Sequence, residues 1–330
     1  MNYIFISSYP GLKLAFYFAR NKTEFTIVTP TEDVIKLCNL LNYNCISYKL
    51  DALMPVKFFW LLSRYKKKLN IEAGKIIKKL DSGRVFYTIP GVDLTGMELI
   101  SVIARQRKDI DITYWQDGEF NKKKIDFSLK KHIVGLLVNT VYSTGFEWVK
   151  VGEGEFLFNK DNFISKNKIS IWEGEDVHAL DNFKGIDVSF DKIPILIIGG
   201  YSLEQDSQMF SKKDMVNVFS HILKSTKDVY YKPHPGNSII DPIFKSCKLV
   251  PAYIPLELLT EHIDVAIGVM SVSMEYLAKN GVNCISIMDM VEVYEDVVDE
   301  VYWKKRMNRN SEFKIKFPQN RLELDKYFLV

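Results

Sequence analysis

His234 stands between two prolines in Lys232-Pro233-His234-Pro235-Gly236, directly after an apolar run. Two prolines restrict the backbone, so the imidazole is presented at a fixed angle. A histidine held in this way at a strand end can hydrogen-bond or protonate a phosphate leaving group. As ordinary structure, it would cap backbone groups of its own turn. Ser271-Val272-Ser273 lies between a strand-like and a helix-like stretch. Hydroxyls beside the unspent N–H groups of a helix start form an anion site, and the same residues serve equally as N-caps. Glu257 opens a helical stretch in Pro255-Leu256-Glu257. Its carboxylate can accept from both hydroxyls of a ribose, or it can simply complement a helix N-terminus.

In the first half of the chain, Asp117 follows a strand-like run and precedes Gly118. A carboxylate there can take a proton from a sugar hydroxyl, whereas its structural role would be a common Asp-Gly turn. Glu119 is the alternative for the same task. Gly199-Gly200 closes another apolar run, where the lack of side chains lets a backbone N–H approach a phosphate. Ser7, Ser8 and Gly11 hold the equivalent place near the start of the chain.

Other features carry less chemistry. Asp109-Ile110-Asp111 has the spacing that holds a metal–nucleotide complex elsewhere, but it enters a strand rather than leaving one. Gly152-Glu153-Gly154 lacks the further glycine and the strand-to-helix setting of a dinucleotide loop. His132, His178, His221 and His262 stand alone and read as structural or exposed. Trp115 and Trp172 read as core or interface. Cys38, Cys45, Cys247 and Cys284 form no metal-ligand spacing, so neither a metal site nor a disulfide framework is expected. Reduced thiols of this kind suit a cytoplasmic chain.

Elements that alternate in type must position these groups. Strands are expected at Tyr3–Ile6, Phe25–Val28, Cys45–Tyr48, Arg84–Ile89 and Ile110–Trp115. Helices are expected at Leu12–Arg20, Glu32–Leu41, Lys57–Leu80 and Met97–Arg105. Residues 150–192 are polar and Gly-dotted, and read as the end of a first domain and a crossover. The alternation restarts with strands at Pro194–Ile198, Asp228–Tyr231, Leu249–Pro251, Val265–Gly268 and Asn283–Ile287. Helices fall at Lys212–Leu223, Pro255–Thr260 and Met274–Lys279. This pattern predicts parallel, doubly wound α/β sheets, with domains at 1–185 and 186–330. Ligands of such sheets sit beyond the C-terminal ends of the strands, where most of the polar clusters above fall.

A chain of 330 residues with 47% hydrophobic content suits two cores of this size. The 44 basic and 41 acidic residues leave a net charge of +3, too balanced for a nucleic-acid partner. Basic runs at Lys66–Lys68, Lys122–Lys131 and Lys304–Arg309 read first as solvated surface. Their functional reading is peripheral contact with an anionic membrane face or an anionic glycan. No apolar stretch is long enough to span a bilayer.

Three short motifs in order (Gln116-Asp117-Gly118, His234-Pro235 and Ser271-Val272-Ser273) resemble those of bacterial sialyltransferases of the lipooligosaccharide sialyltransferase and polysialyltransferase type. In these families an acidic pair precedes the Gly and the two Ser/Thr are adjacent. Here Gln116 replaces the first acid, and Val272 splits the serines. The resemblance implies a GT-B fold, two Rossmann-like domains facing a central cleft. It implies inverting, metal-independent transfer of sialic acid from CMP-sialic acid to a hydroxyl of a surface glycan or glycolipid. Asp117 would be the base and His234 the partner of the departing phosphate. Ser271 and Ser273 would hold that phosphate and Glu257 the ribose. Lys232, Pro235, Gly199, Gly200, Gly118 and Ser8 complete the expected substrate-binding set. No cofactor or metal is expected, and the location expected is the cytoplasm or the inner face of the membrane. CMP-Kdo or CDP-polyol transfer, or a site that binds without turnover, are the competing readings.

Overall fold

The computed structural model describes residues 1–6, 11–48, 60–87, 94–114, 148–152, 155–158, 168–172, 186, 188–200, 202–235, 240–294 and 296–328. Contacts divide the chain into two units, Met1–Ile186 and Asp187–Val330.

The first unit alternates strand and helix: β1 Asn2–Phe5, α1 Leu12–Arg20, β2 Phe25–Thr29, α2 Glu32–Leu40, β3 Cys45–Ser47, α3 Trp60–Ile77, β4 Gly83–Tyr87, α4 Leu94–Gln106 and β5 Ile110–Tyr114. It continues with β6 Trp148–Gly152, β7 Glu155–Phe158 and β8 Ser170–Ile171. Six strands form one sheet in the order β3-β2-β1-β4-β5-β8, and all its pairings are parallel. The order reverses between β1 and β4, as in a doubly wound nucleotide-binding sheet. β6 and β7 form a separate antiparallel hairpin at the start of the stretch expected to end the first domain. β2 is buried along its whole length, which explains its unbroken apolar and Thr composition. α1 presents Leu12, Leu14, Ala15, Phe16 and Phe18 to the core.

The second unit repeats the plan: β9 Ile193–Ile198, α5 Leu203–Asp206, α6 Lys212–Ser225, β10 Val229–Lys232, β11 Lys248–Leu249, β12 Ile263–Gly268, α7 Val272–Lys279, β13 Asn283–Ser286, α8 Glu300–Asn310 and α9 Arg321–Phe328. The strand order is β11-β10-β9-β12-β13, again parallel throughout. The expectation of two doubly wound α/β halves is met. The apolar run Ile195–Ile198 becomes the central strand because helices cover both faces of such a sheet. Beneath it, Tyr231 stacks on Phe244 with ring centroids 4.2 Å apart and planes 8° from parallel.

Differences from the expected elements have local causes. α7 begins at Val272, two residues before the apolar spacing suggested, because Ser271 leaves the strand in extended geometry and serves as its N-cap position. It stops at Gly281, whose φ of +98° suits a residue without a side chain. There the Val282 N–H donates to the Leu277 carbonyl at 3.0 Å. The stretch expected as a helix from Pro255 is a 3-10 segment, Leu256–His262. α8 and α9 were missed because their polar faces dominate: α8 buries Met307 alone. No helix among the described residues is long and apolar enough to cross a membrane.

Candidate active site

The candidate groups of the second unit gather on three segments at the C-terminal ends of β10, β11 and β12. Lys232 is the last residue of β10 and is only 4% exposed. Its ammonium donates to the Ala252 carbonyl at 2.9 Å, tying the end of β10 to the segment that leads into Glu257. Glu257 is half-buried in the 3-10 segment. Its Oε1 accepts from the Ser273 hydroxyl at 3.1 Å, tying that segment in turn to the first turn of α7. Two contacts thus join three loops that are far apart in sequence.

His234 follows Lys232 by two residues and is half-buried, with Pro233 buried and Pro235 exposed. Burial lowers its pKa, and the neighbouring Lys232 charge lowers it further. The imidazole is therefore neutral at neutral pH. It can donate one N–H to an anion, and it becomes a proton source once an anion offsets Lys232.

Ser271 occupies the N-cap position of α7, yet its side chain makes no capping hydrogen bond. N-capping is thus not what its hydroxyl does. Ser273 differs: its hydroxyl donates to Glu257.

The turn that carries Ser271 is held from behind by a residue the sequence reading did not single out. Ser286, fully buried at the end of β13, donates to the Val269 carbonyl at 2.6 Å. The Ser286 hydroxyl oxygen in turn accepts from the Met288 N–H at 3.3 Å. A serine near the end of the last expected strand was the available signal.

Gly199 and Gly200 were expected to let a backbone N–H approach a phosphate, and the structure shows what else their missing side chains make room for. A Cβ on Gly199 would lie 2.4 Å from the Tyr231 hydroxyl, and one on Gly200 would lie 1.9 Å from Asp206 Oδ2. The Gly199 N–H is already committed to the Lys232 carbonyl at 2.9 Å. These glycines make room for protein atoms, and Gly199 fixes the backbone of Lys232. Beside them lies a cavity of about 50 Å³ bordered by Tyr231, Asp206, Asp241 and Met270. It is too small for a nucleotide, and Lys232, His234, Glu257, Ser271 and Ser273 do not line it.

Ser8, Asp117 and Gly118, with Gln116 and Glu119, lie outside the described residues. Asp109 of the Asp109–Asp111 spacing is held by structure: it receives a hydrogen bond from Arg107 Nε at 2.7 Å, and that pairing pulls its pKa down to about 2. His221 contacts Asp325 at 2.7 Å and ties α6 to α9. Trp172 packs among Phe18, Phe86 and Tyr17. Among the described residues there is no group of three or more His, Cys, Asp or Glu placed to hold a metal ion. All four cysteines are free thiols.

No protein-family model matches the chain, and no curated protein sequence matches it. Solved structures do resemble it. A UDP-GlcNAc 2-epimerase from Methanocaldococcus jannaschii is 14% identical, with 98% of this chain and 93% of the other covered and a TM-score of 0.43. A sialyltransferase from Photobacterium damsela is 14% identical, with coverage of 96% and 80% and a TM-score of 0.43. A UDP-GlcNAc 2-epimerase from Neisseria meningitidis, bound to UDP-GlcNAc, is 11% identical, with coverage of 100% and 90% and a TM-score of 0.43. Likeness at this level leaves the activity to be argued from the site.

Proposed function

We propose that the chain is a glycosyltransferase of the GT-B class that transfers sialic acid from CMP-sialic acid to a hydroxyl of a surface glycan. The observation that supports this most is the joining of Lys232, Glu257 and Ser273 through the Lys232–Ala252 and Ser273–Glu257 contacts. They tie a cation, a carboxylate and a hydroxyl together, with His234 two residues beyond the cation and Ser271 two residues before the hydroxyl. That set suits a nucleoside monophosphate: donors for one phosphate and an acceptor for a ribose diol.

In this reading the acceptor hydroxyl attacks the anomeric carbon as the bond from that carbon to the phosphate oxygen breaks. Configuration inverts in the single displacement. Asp117 takes the hydroxyl proton. His234 and Ser271 donate to the departing phosphate, Lys232 offsets its charge, and Glu257 accepts from the ribose. Glu257 therefore exchanges its bond from Ser273 for bonds from the sugar. CMP departs with one phosphate, so fixed hydrogen bonds and one buried ammonium can offset its charge without a metal.

A donor panel tests the reading. The full-length protein is incubated with CMP-sialic acid, CMP-Kdo and CDP-glycerol, with and without glycan acceptors, and CMP release, the leaving group of all three, is followed. Preferential turnover of CMP-sialic acid is expected. Turnover of CMP-Kdo or CDP-glycerol alone reassigns the donor, and CMP binding without turnover of any donor makes the chain a binding protein. Asp117→Asn should abolish transfer while the Kd for CMP stays within about twofold, since a base acts on the acceptor side. Full activity in that variant removes Asp117 from the mechanism.

A further inference from the structure

α7 carries a carboxylate that ought to compete with its own ligand. Glu275 sits in the first turn of the helix and is 6% exposed. A helix start bears the equivalent of about half a positive charge. An acidic side chain in that turn normally spends this charge on itself. Here it does not, because both carboxylate oxygens are drawn away by α8. Arg306 Nε donates to Oε1 at 3.1 Å and Asn310 Nδ2 donates to Oε2 at 2.7 Å. Arg306 and Asn310 lie one helical turn apart and grip the carboxylate together. The Arg306 guanidinium also lies over the Trp303 ring, 5.0 Å from its centroid, so its position is fixed from a second side.

We propose that Glu275 and Arg306 are a positioning pair that keeps the start of α7 electrostatically open to a phosphate ester. The inference rests on the reading that Ser271, His234 and Lys232 receive the phosphate of a nucleotide. The ion pair anchors α7 to α8, and the Arg306 charge cancels a buried negative charge that would otherwise stand within one turn of that phosphate. The recognised chemistry is the charge of the ester rather than the nucleoside. Removing Arg306 leaves Glu275 buried and unbalanced, which repels an anionic ligand much more than a neutral one. Removing the Glu275 charge as well relieves the repulsion.

The test compares CMP with cytidine, a probe that lacks the phosphate, by calorimetry on the full-length protein. Arg306→Ala should weaken CMP about tenfold, equivalent to about 1.4 kcal/mol, and leave cytidine within about twofold. Adding Glu275→Gln to that variant should recover most of the CMP affinity. Glu275→Gln alone, which keeps the hydrogen-bonding shape, should tighten CMP a few-fold without affecting cytidine, and it serves if Arg306→Ala fails to fold. A parallel loss of CMP and cytidine, or a double variant as weak as Arg306→Ala, overturns the proposal, because a brace acting through packing alone gives that pattern. If the unmodified protein binds neither CMP nor any other nucleoside monophosphate, the functional reading falls first and takes this inference with it. CMP binding that is indifferent to all three variants overturns this inference and leaves the functional reading standing.

Discussion

Ser273 donates to Glu257 across 3.1 Å, although they are sixteen positions apart with the whole of β12 between them. The bond makes the first turn of α7 and the 3-10 segment before β12 one unit. It also sets the cost of admitting a ligand, since a sugar hydroxyl that binds Glu257 must replace the serine.

Glu257→Ala should therefore weaken CMP by about tenfold to a hundredfold, the usual range for a hydrogen bond to a charged group. Ser273→Ala should cost less, because it frees Glu257 for the ribose while removing one contact near the phosphate. In a double-mutant cycle the two changes should be non-additive by about 0.5 kcal/mol or more, as contacting residues are. Additive losses would mean that the two side chains meet the ligand independently.

The lowered pKa of His234 gives a pH dependence with a definite sign. Its ordinary value is 6.5, and burial and then Lys232 push it down. As pH falls through about 6.5 the unfolded chain takes up a proton before the folded chain does, so the contribution of this group to stability declines toward acid. A bound phosphate acts in the opposite direction and raises the pKa of the imidazole. CMP binding near pH 6.5 should thus be accompanied by proton uptake, seen as a dependence of the binding enthalpy on buffer ionisation. The phosphate of CMP titrates in the same range, with a second pKa of about 6, so the comparison with His234→Asn isolates the histidine. Equal uptake in both proteins would exclude His234 from the phosphate site.

The two glycines after β9 make a prediction that separates room for protein from room for ligand. An alanine at Gly200 would place its Cβ 1.9 Å from Asp206 Oδ2, and one at Gly199 would meet the Tyr231 hydroxyl at 2.4 Å. Tyr231 is 1% exposed and stacked on Phe244, so it yields little. Overpacking of this kind costs about 1–3 kcal/mol. Gly199→Ala should lower the melting temperature more than Gly200→Ala, whose opposing carboxylate can swing aside. Unchanged melting temperatures with lost CMP affinity would support the expectation that both admit the ligand.

Much of this was legible in the sequence, and the limits have physical reasons. Strands such as β9 and β12 are apolar along most of their length, so their existence and order could be read within a residue or two. Lys232 and Ser273 could be chosen because they follow apolar runs, and Glu257 because it opens a helical stretch, yet nothing in spacing could join them; the Lys232–Ala252 and Ser273–Glu257 contacts are made by chain folding alone. The packing of Gly199 and Gly200 against Tyr231 and Asp206 could not be read, because a glycine records that space is needed and is silent on what fills it. α8 was invisible to apolar periodicity, since what it offers α7 is polar: Arg306 and Asn310 on Glu275. The hairpin β6–β7 was missed because its strands are short and interrupted by Gly152.

Ser286 provides the most direct test of whether the turn before α7 must be held rigid. Its hydroxyl is fully buried, donates to Val269 at 2.6 Å and accepts from Met288 at 3.3 Å. Ser286→Ala leaves the Val269 carbonyl and the Met288 N–H without that partner, at a cost of about 1–3 kcal/mol. Val269 lies two residues before Ser271, so the loosened carbonyl should blur the placement of that hydroxyl as well as lower stability. The expected result is a lower melting temperature together with weaker CMP binding, while cytidine, which does not use the Ser271 turn, keeps its affinity. Ser286→Thr, which retains the hydroxyl, should preserve CMP binding if its extra methyl is accommodated, and Ser286→Cys should fall between. Weakened stability with CMP affinity intact would show that Ser286 supports the fold alone and that Ser271 needs no such support.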